Sequence, residues 1–411
     1  MVEYFIRRLL LTIPTFLGST FVVFLIVQLA PGGPLEQQIQ ALKRGGETAG
    51  AGIVGEQSLP KEAIEELKRF YGFDKPIWQR YLIWLGIMKR EAKSYRINPG
   101  VPRLVSDNER LLLVQEGTSF TLRNADDPTR PIGDWKWRQE RDEETGQIRY
   151  RVYRETYSGI LTGDFGRSYR FRKPVLELIG ERLPVSIQFG IISFVLSYAI
   201  SIYLGVQKAL RHNTPFDFAT SSAVFMSYSI PGWAIGAVLL VLFATDRFFP
   251  IFPLGGFEDP IYAEFGLLEK IWDRAWHFVL PTIAYTAGSF ALLTMLMKNS
   301  LIETLSQDYI RTAFAKGLRE ERVIWLHAMR NSIIPITANI GYVIGIFFAG
   351  SYLIERVFDI QGIGQLSFEA VVARDYPIVF AFTVISVLVT LIGSILSDLA
   401  LAIVDPRIRF K

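Results

Sequence analysis

The chain has 411 residues, with three histidines and no cysteine. These counts remove much side-chain chemistry at once. Without cysteine there is no disulfide framework, no thiolate metal ligand and no thiol nucleophile. His212, His277 and His327 do not read as a metal cluster, and no His-Glu-x-x-His pair occurs. No Gly-x4-Gly-Lys-Ser/Thr run occurs either, and Lys316-Gly317 has the reverse order. The chain therefore carries no phosphate loop of that type and is not expected to hydrolyse ATP alone. Serine and threonine are plentiful in the apolar runs, where hydroxyls more often bond backbone. No base stands ready to activate them. Asp398 is the one charge well inside an apolar run. An ion-coupled carrier would need such groups along its path, but a hydrogen-bonded structural carboxylate is the plainer reading. No catalytic, cofactor-binding or metal-binding residue is assigned.

What remains is a stretch built to dock. Gln307 to Pro335 is polar, basic and helix-forming, and it lies between two long apolar runs. Tyr309 and Ala313, and Ile310 and Phe314, are i,i+4 pairs. They are expected on one face of a short helix, with Arg311, Thr312 and Lys316 off that face. Gly317 is a helix stop. A second helix is expected to start with Glu320 and Glu321 near its positive end and to carry Arg330 near its negative end. An ordinary loop between spans would share this pattern.

The elements that must position this stretch are apolar. Half of the chain is hydrophobic and 20% is charged, with a mean hydropathy of +0.25 and a pI near 9.0. Segregation of charge into loops reconciles these figures. The basic balance fits loop Lys and Arg facing a cytoplasm and anionic lipid, rather than nucleic acid. A bilayer core of about 30 Å needs about 20 apolar residues in a helix. Six runs qualify: Leu9–Ala30, Val185–Val206, Phe218–Thr245, Phe278–Met297, Ser332–Ile354 and Ile378–Val404. The first could be a signal peptide. It is longer than a usual h-region, however, and Pro31 directly follows Ala30, so it reads as a retained span.

Residues 31–184 hold 26 Lys+Arg and 22 Asp+Glu and no spanning run. Pro60 to Leu85 is expected to be helical in two pieces split by Gly72 and Pro76, with Trp78, Tyr81, Leu82 and Leu85 on one face. Between about Pro99 and Tyr157 the period changes to two. Segments 111–114, 119–122, 135–137 and 148–153 read as strands, with a hairpin turn at Glu144-Thr-Gly146. Gly163–Ser168 reads as a turn, and Pro174–Arg182 as a short helix before the second span. With the N-terminus inside, the inside segments carry 13 Lys+Arg and the two short outside loops 5. That is the positive-inside bias, which long translocated loops escape. The fold class is therefore an all-α membrane protein of six transmembrane helices, with a large external loop carrying a small β-rich insertion at about 90–158. Residues 1–30 form the first span, 31–184 the external (periplasmic) loop, and 185–404 a five-helix core with the loop 298–335. Residues 405–411 are a tail, and both termini are cytoplasmic.

These pieces resemble, in order, the dipeptide/oligopeptide/nickel family of binding-protein-dependent ABC importer permeases. Tyr309-Ile-Arg311-Thr312-Ala313-Phe-Ala315-Lys316-Gly317-Leu318, then Arg330-Asn331-Ser-Ile-Ile334-Pro335, looks like that family's cytoplasmic "EAA" loop. Arg311 and Thr312 replace the generic Glu and first Ala, as in the peptide subfamily. Tyr4–Pro14, Tyr71–Pro76, Gly163–Ser168, Glu181–Pro184 and Asp398–Arg407 match other family segments, whereas about 90–158 matches none. The resemblance implies the type I importer permease fold in a bacterial inner membrane. It implies as partners a second homologous permease subunit, two cytoplasmic ABC ATPase subunits and an extracytoplasmic solute-binding protein, with membrane lipid around the spans. No nucleic acid and no cofactor is implied. The solute would be di- or oligopeptides, with nickel or another small solute as the alternative inside the family and a proton- or ion-coupled secondary transporter as the alternative outside it. Tyr309, Ile310, Arg311, Thr312, Ala313, Phe314, Lys316 and Gly317 would form the ATPase-coupling loop. Tyr309, Ile310, Ala313 and Phe314 would anchor in an ATPase groove, with Arg311 and Lys316 at its rim.

Overall fold

A long uncharged segment can satisfy its backbone internally as a helix, and the chain is mainly helical for that reason. The computed structural model describes residues 2–29, 73–106, 109–116, 119–127, 129, 131–141, 148–341, 345 and 351–404. The chain divides into two compact units, Phe21–Gly166 and Met1–Thr20 with Arg167–Lys411. Helix α1 (Val2–Leu29) contributes to both.

In the Phe21–Gly166 unit, the end of α1 packs on α2 (Ile77–Leu85) through rings. Phe21 and Phe24 meet the edge of Tyr81 at 5.1 and 5.6 Å, and Phe24 lies 5.5 Å from Trp84. Tyr81 and Leu85 are buried, but Trp78 is 55% exposed. The single face expected for Trp78, Tyr81, Leu82 and Leu85 is corrected accordingly, because Trp78 lies in the opening turn of a nine-residue helix and stands outside the contact. Arg80 donates to Phe73 O, Lys75 O and Gln28 Oε1 at 3.1, 2.7 and 3.2 Å, which fastens the turn before α2.

Six strands follow: β1 (Arg90–Ile97), β2 (Arg103–Ser106), β3 (Glu109–Glu116), β4 (Ser119–Asn124), β5 (Trp135–Arg141) and β6 (Ile148–Thr156). They form two antiparallel sheets, ordered β1-β6-β5 and β2-β3-β4. Alternate residues face one small core of Ile97, Val105, Leu111, Leu113, Leu122, Trp135 and Val152. Trp137 and Tyr150 pack against that core, and Phe120 lies 4.6 Å from Tyr150. The turn expected at Glu144–Gly146 and the helical piece before Gly72 lie outside the described residues. At the end of the unit, Asp164 is partly buried, which would raise its pKa. Hydrogen bonds from Ser158 and the Gly166 N–H and the nearby Arg90 outweigh this and hold it below its ordinary value.

In the other unit, α3 (Val175–Leu210) and α6 (Leu267–Leu305) form the central pair. The short helix and second span expected on either side of Pro184 are one 36-residue helix. The carbonyl of Pro184 accepts a hydrogen bond from Gln188 Nε2 at 3.1 Å. Ser193, Ser197 and Ser201 are fully buried at a spacing of four, and Gly205 extends the row. A Cβ on Gly205 would fall 2.6 Å from Met297 Cβ, and Ser201 Oγ donates to Phe290 O at 2.9 Å. Small polar residues thus form the contact face, as helix pairs in lipid favour.

The expected span Phe218–Thr245 is broken. Helices α4 (Pro215–Ser229) and α5 (Gly232–Ala244) meet at 99° around Pro231, which has no N–H to continue the ladder. The expected span Phe278–Met297 lies in the longer α6, which bends by 50° beside Gly288. Then come α7 (Asp308–Ala315), a helical run at 320–332, α8 (Tyr352–Val357), α9 (Ile363–Val372) and α10 (Tyr376–Val404). The expected span Ser332–Ile354 lies partly outside the described residues. Among the described residues, three helices are long and apolar enough to cross a bilayer, or five if each bent pair is one span.

Polar contacts fix the ends. Arg8 of α1 pairs with Asp398 of α10, and Tyr4 OH donates to Asp398 Oδ2 at 3.0 Å. Asp398 is thus ion-paired and hydrogen-bonded. Helix α9 is pinned at both ends. At its start, buried Glu355 accepts from the N–H groups of Gly364 and Gln365 at 3.3 and 2.6 Å, from Ser186 Oγ at 3.2 Å and from Tyr285 OH at 3.4 Å. Past its end, buried Asp375 accepts from Ser168 Oγ and from the N–H groups of Tyr169 and Arg170 at 3.2 Å.

Candidate functional site

Helix α7 is eight residues long and would be marginal alone. It is held by burial. Ile310 (1% exposed) and Ala313 (7%) enter a core with Val206 and Ala209 of α3 and Met297 and Leu301 of α6. The end of α7 is a Schellman motif. Gly317 N–H donates to Phe314 O at 2.9 Å, and Leu318 N–H reaches Ala313 O at 3.4 Å. Gly317 has φ +76°, a left-handed conformation that glycine adopts without the Cβ penalty.

This geometry divides the expected anchors. Ile310 and Ala313 face the chain's own core, whereas Tyr309 (42% exposed) and Phe314 (45%) face outward. The expectation that all four insert into a partner is corrected. An eight-residue helix lying on α3 and α6 has to bury its i,i+3 pair 310/313, which turns 309 and 314 away. Arg311, Thr312 and Lys316 are exposed, and Arg311 lies 3.4 Å from Asp308.

The helical run after Gly317 supplies what sequence reasoning missed. It begins at Glu320–Arg322 and passes through a π-helical segment, Val323–Ala328, into Met329–Ser332. A π turn bonds i to i+5 and is wider than an α turn, so residues four and five apart come to share a face. Val323 and Ala328, and Ile324 and Met329, are accordingly buried together, while Trp325 and Leu326 are more than half exposed. Asn331 Nδ2 donates to Tyr309 OH at 2.6 Å, so the Arg330-Asn331 pair ties the second helix to the first. Tyr309 and Phe314 on α7 and Trp325 and Leu326 on the π segment are exposed, as are the cationic Arg311, Lys316, Arg319, Arg322 and Arg330. Exposed aromatics with flanking cations suit a groove on another protein. Among the described residues no group of three His, Asp or Glu side chains could hold a metal.

Two substitutions separate the roles. Phe314→Asp is expected to leave the fold intact and to weaken partner binding by roughly tenfold or more, the loss of one aromatic anchor. Ile310→Asp is expected to unfold α7 itself, because an unpaired carboxylate would enter the core. Limited proteolysis near Gly317 distinguishes them, with faster cutting in Ile310→Asp only.

Residues 197–410 match the family model described as "Binding-protein-dependent transport system inner membrane component". The chain is 33% identical to the "Peptidoglycan transport system permease protein YejB" of Agrobacterium fabrum (strain C58 / ATCC 33970), over 100% of this chain and 99% of that protein. It is also 33% identical to the "Inner membrane ABC transporter permease protein YejB" of Escherichia coli O157:H7, with both chains fully covered. It is 29% identical to the "Oligopeptide transport system permease protein AppB" of Bacillus subtilis (strain 168), again over both full lengths.

Proposed function

We propose that this chain, which belongs to the family of binding-protein-dependent transport system inner membrane components, is the permease subunit of an ABC importer that moves di- or oligopeptides. The observation that carries the reading is the aromatic and basic surface of α7 and the π segment, mounted on the ends of α3 and α6. The name of the Bacillus subtilis relative, an oligopeptide transport system permease, supports peptides as the solute class.

In this reading six helices span a bacterial inner membrane, with both termini in the cytoplasm. Residues 31–184 form the external loop and carry the β-rich insertion, 185–404 form the core, and 298–335 the ATPase-coupling loop. One of two ATPase subunits docks at Tyr309–Gly317, with Trp325 as an added anchor, and the other docks on the second permease. Hydrolysis of ATP occurs in those subunits. A second, homologous permease completes the path, and a solute-binding protein delivers peptide from outside.

A protease site placed near Gly146 is expected to be cut only from the external side; cleavage from the cytoplasm would overturn the topology. Removal of the chain from its host is expected to abolish uptake of radiolabelled di- and oligopeptides in the affected system. Undiminished uptake of those peptides together with lost nickel uptake would move the solute to the alternative within the family.

A further inference from the structure

Helix α4 touches α6 at two polar points, one on each side of the α6 bend. Near the α4 C-terminus, Ser227 Oγ donates to Ala287 O at 2.8 Å, one residue before Gly288. Near the α4 N-terminus, Lys298 Nζ donates to both carboxylate oxygens of Asp217, at 2.8 and 2.7 Å. Asp217 and Lys298 are both buried. Lys208 at the end of α3 is fully buried in the same knot, 3.5 Å from Asp217 Oδ1, and donates to Ser221 Oγ at 2.7 Å and Thr220 Oγ1 at 3.2 Å. His212 and the Asn213 N–H also face Asp217 Oδ2, at 3.3 and 3.2 Å.

Ten helical steps, about 15 Å of α4, lead from Asp217 to Ser227. That length runs past the 50° bend in α6. We infer that α4 is a brace across this bend, that Lys298 is the positioning residue that fixes its lower end, and that the brace lets α6 pass motion of α7 on instead of absorbing it. This rests on the reading of α7 as the ATPase contact. Ile310 and Ala313 seat α7 on Met297 and Leu301, next to Lys298. At its other end α4 leads through Pro231 into α5, where Gly232 lies against Ala284 of upper α6. A push on α7 therefore meets lower α6, and the brace holds lower and upper α6 at a fixed angle. Without the Lys298–Asp217 bond the bend is free to take up the displacement.

Lys298→Met is the cut that leaves Asp217 still served by Lys208, His212 and the Asn213 N–H. Because the chain lacks cysteine, nitroxide labels on Ile271→Cys and Glu303→Cys, both exposed on α6 either side of the bend, report its angle without any added solute. The measurement uses the purified complex, nucleotide-free and trapped with ATP and vanadate. With Lys298 in place, one narrow distance distribution is expected in both states. With Lys298→Met, the distribution should broaden and shift on trapping while ATP hydrolysis continues, and Lys298→Arg should restore the narrow form. If Lys298→Met is not recovered from membranes, Lys298→Gln carries the same measurement, with an intermediate width expected. A distribution in the variant as narrow as in the parent would overturn the brace. So would a parent distance that shifts on trapping. If no ATPase accompanies the parent chain, the docking reading fails instead, and the nucleotide-free comparison of parent and variant still decides the brace.

Discussion

Gly317→Pro is expected to abolish ATP-driven transport while the chain still inserts in the membrane. Proline holds φ near −65°, and Gly317 sits at +76°. Its missing N–H removes the bond to Phe314 O. The residue before a proline is also driven out of the α region, whereas Lys316 is at φ −80°, ψ 5°. Three requirements fail together, at a combined cost of about 3 kcal/mol or more. All of that falls on the last turn of α7, so Phe314 and Tyr309 lose their fixed presentation. Gly317→Ala keeps the N–H and pays only the left-handed strain, about 1 kcal/mol, so partial function is expected. Co-purification of ATPase with each variant measures the difference. Proline variants that bind ATPase and transport normally would remove α7 from the coupling role.

The second large effect is expected at Glu355→Ala. This carboxylate is buried and takes hydrogen bonds from two backbone N–H groups at the start of α9 and from Ser186 and Tyr285. Alanine would leave those buried donors without their shared acceptor, at a cost of about 3 kcal/mol. Glu355→Gln keeps one acceptor oxygen and should lose about 1 kcal/mol. Thermal unfolding of the purified chain in detergent is expected to rank the parent above Gln and Gln above Ala. Equal midpoints for Gln and Ala would mean that the carboxylate does not hold α9. The same substitutions should free α9 from α3 without touching α7, so ATPase binding is expected to persist in both.

The contrast between these two sites shows what a sequence can disclose. The docking stretch was readable because its polarity interrupts apolar runs, and because Gly317 marks a helix end by its own stereochemistry. Which face of α7 looks outward was not readable. Tyr309, Ile310, Ala313 and Phe314 are all apolar, and only the packing of α3 and α6 selects 310 and 313 for burial. The exposure of Trp325 is not legible from a 3.6-residue spacing because a π turn is wider and rotates the faces of the segment. Glu355 and Asp375 stood in a segment read simply as an external loop, and their acceptor roles depend on partners far away in sequence, such as Ser186 and Ser168.

The apolar runs themselves were legible, but their ends were not. Pro184 borders the run Val185–Val206 and Pro231 lies inside Phe218–Thr245. One is absorbed within α3 and the other divides α4 from α5. The contact face of α3 is a row of serines and a glycine, which hydropathy treats as the polar side. Lys208 and Lys298 stand just past the ends of the apolar runs Val185–Val206 and Phe278–Met297, where a charge reads as part of a loop, yet both are buried around Asp217. In the strand region, β1 is charged at Arg90, Glu91, Lys93 and Arg96 and gives no clear alternation. Its pairing with β6 supplies what its own residues do not.

Gentle detergent extraction of the tagged chain from its native membrane, with its companions identified and ATP hydrolysis assayed, tests the central claim most directly. The account predicts a second multi-span permease and partner ATPases in the same particle, with ATPase association weakened roughly tenfold or more in Phe314→Asp. A stable solitary chain whose transport runs on a proton gradient would contradict it, and the Arg8–Asp398 pair would then become the place to look for the coupling chemistry.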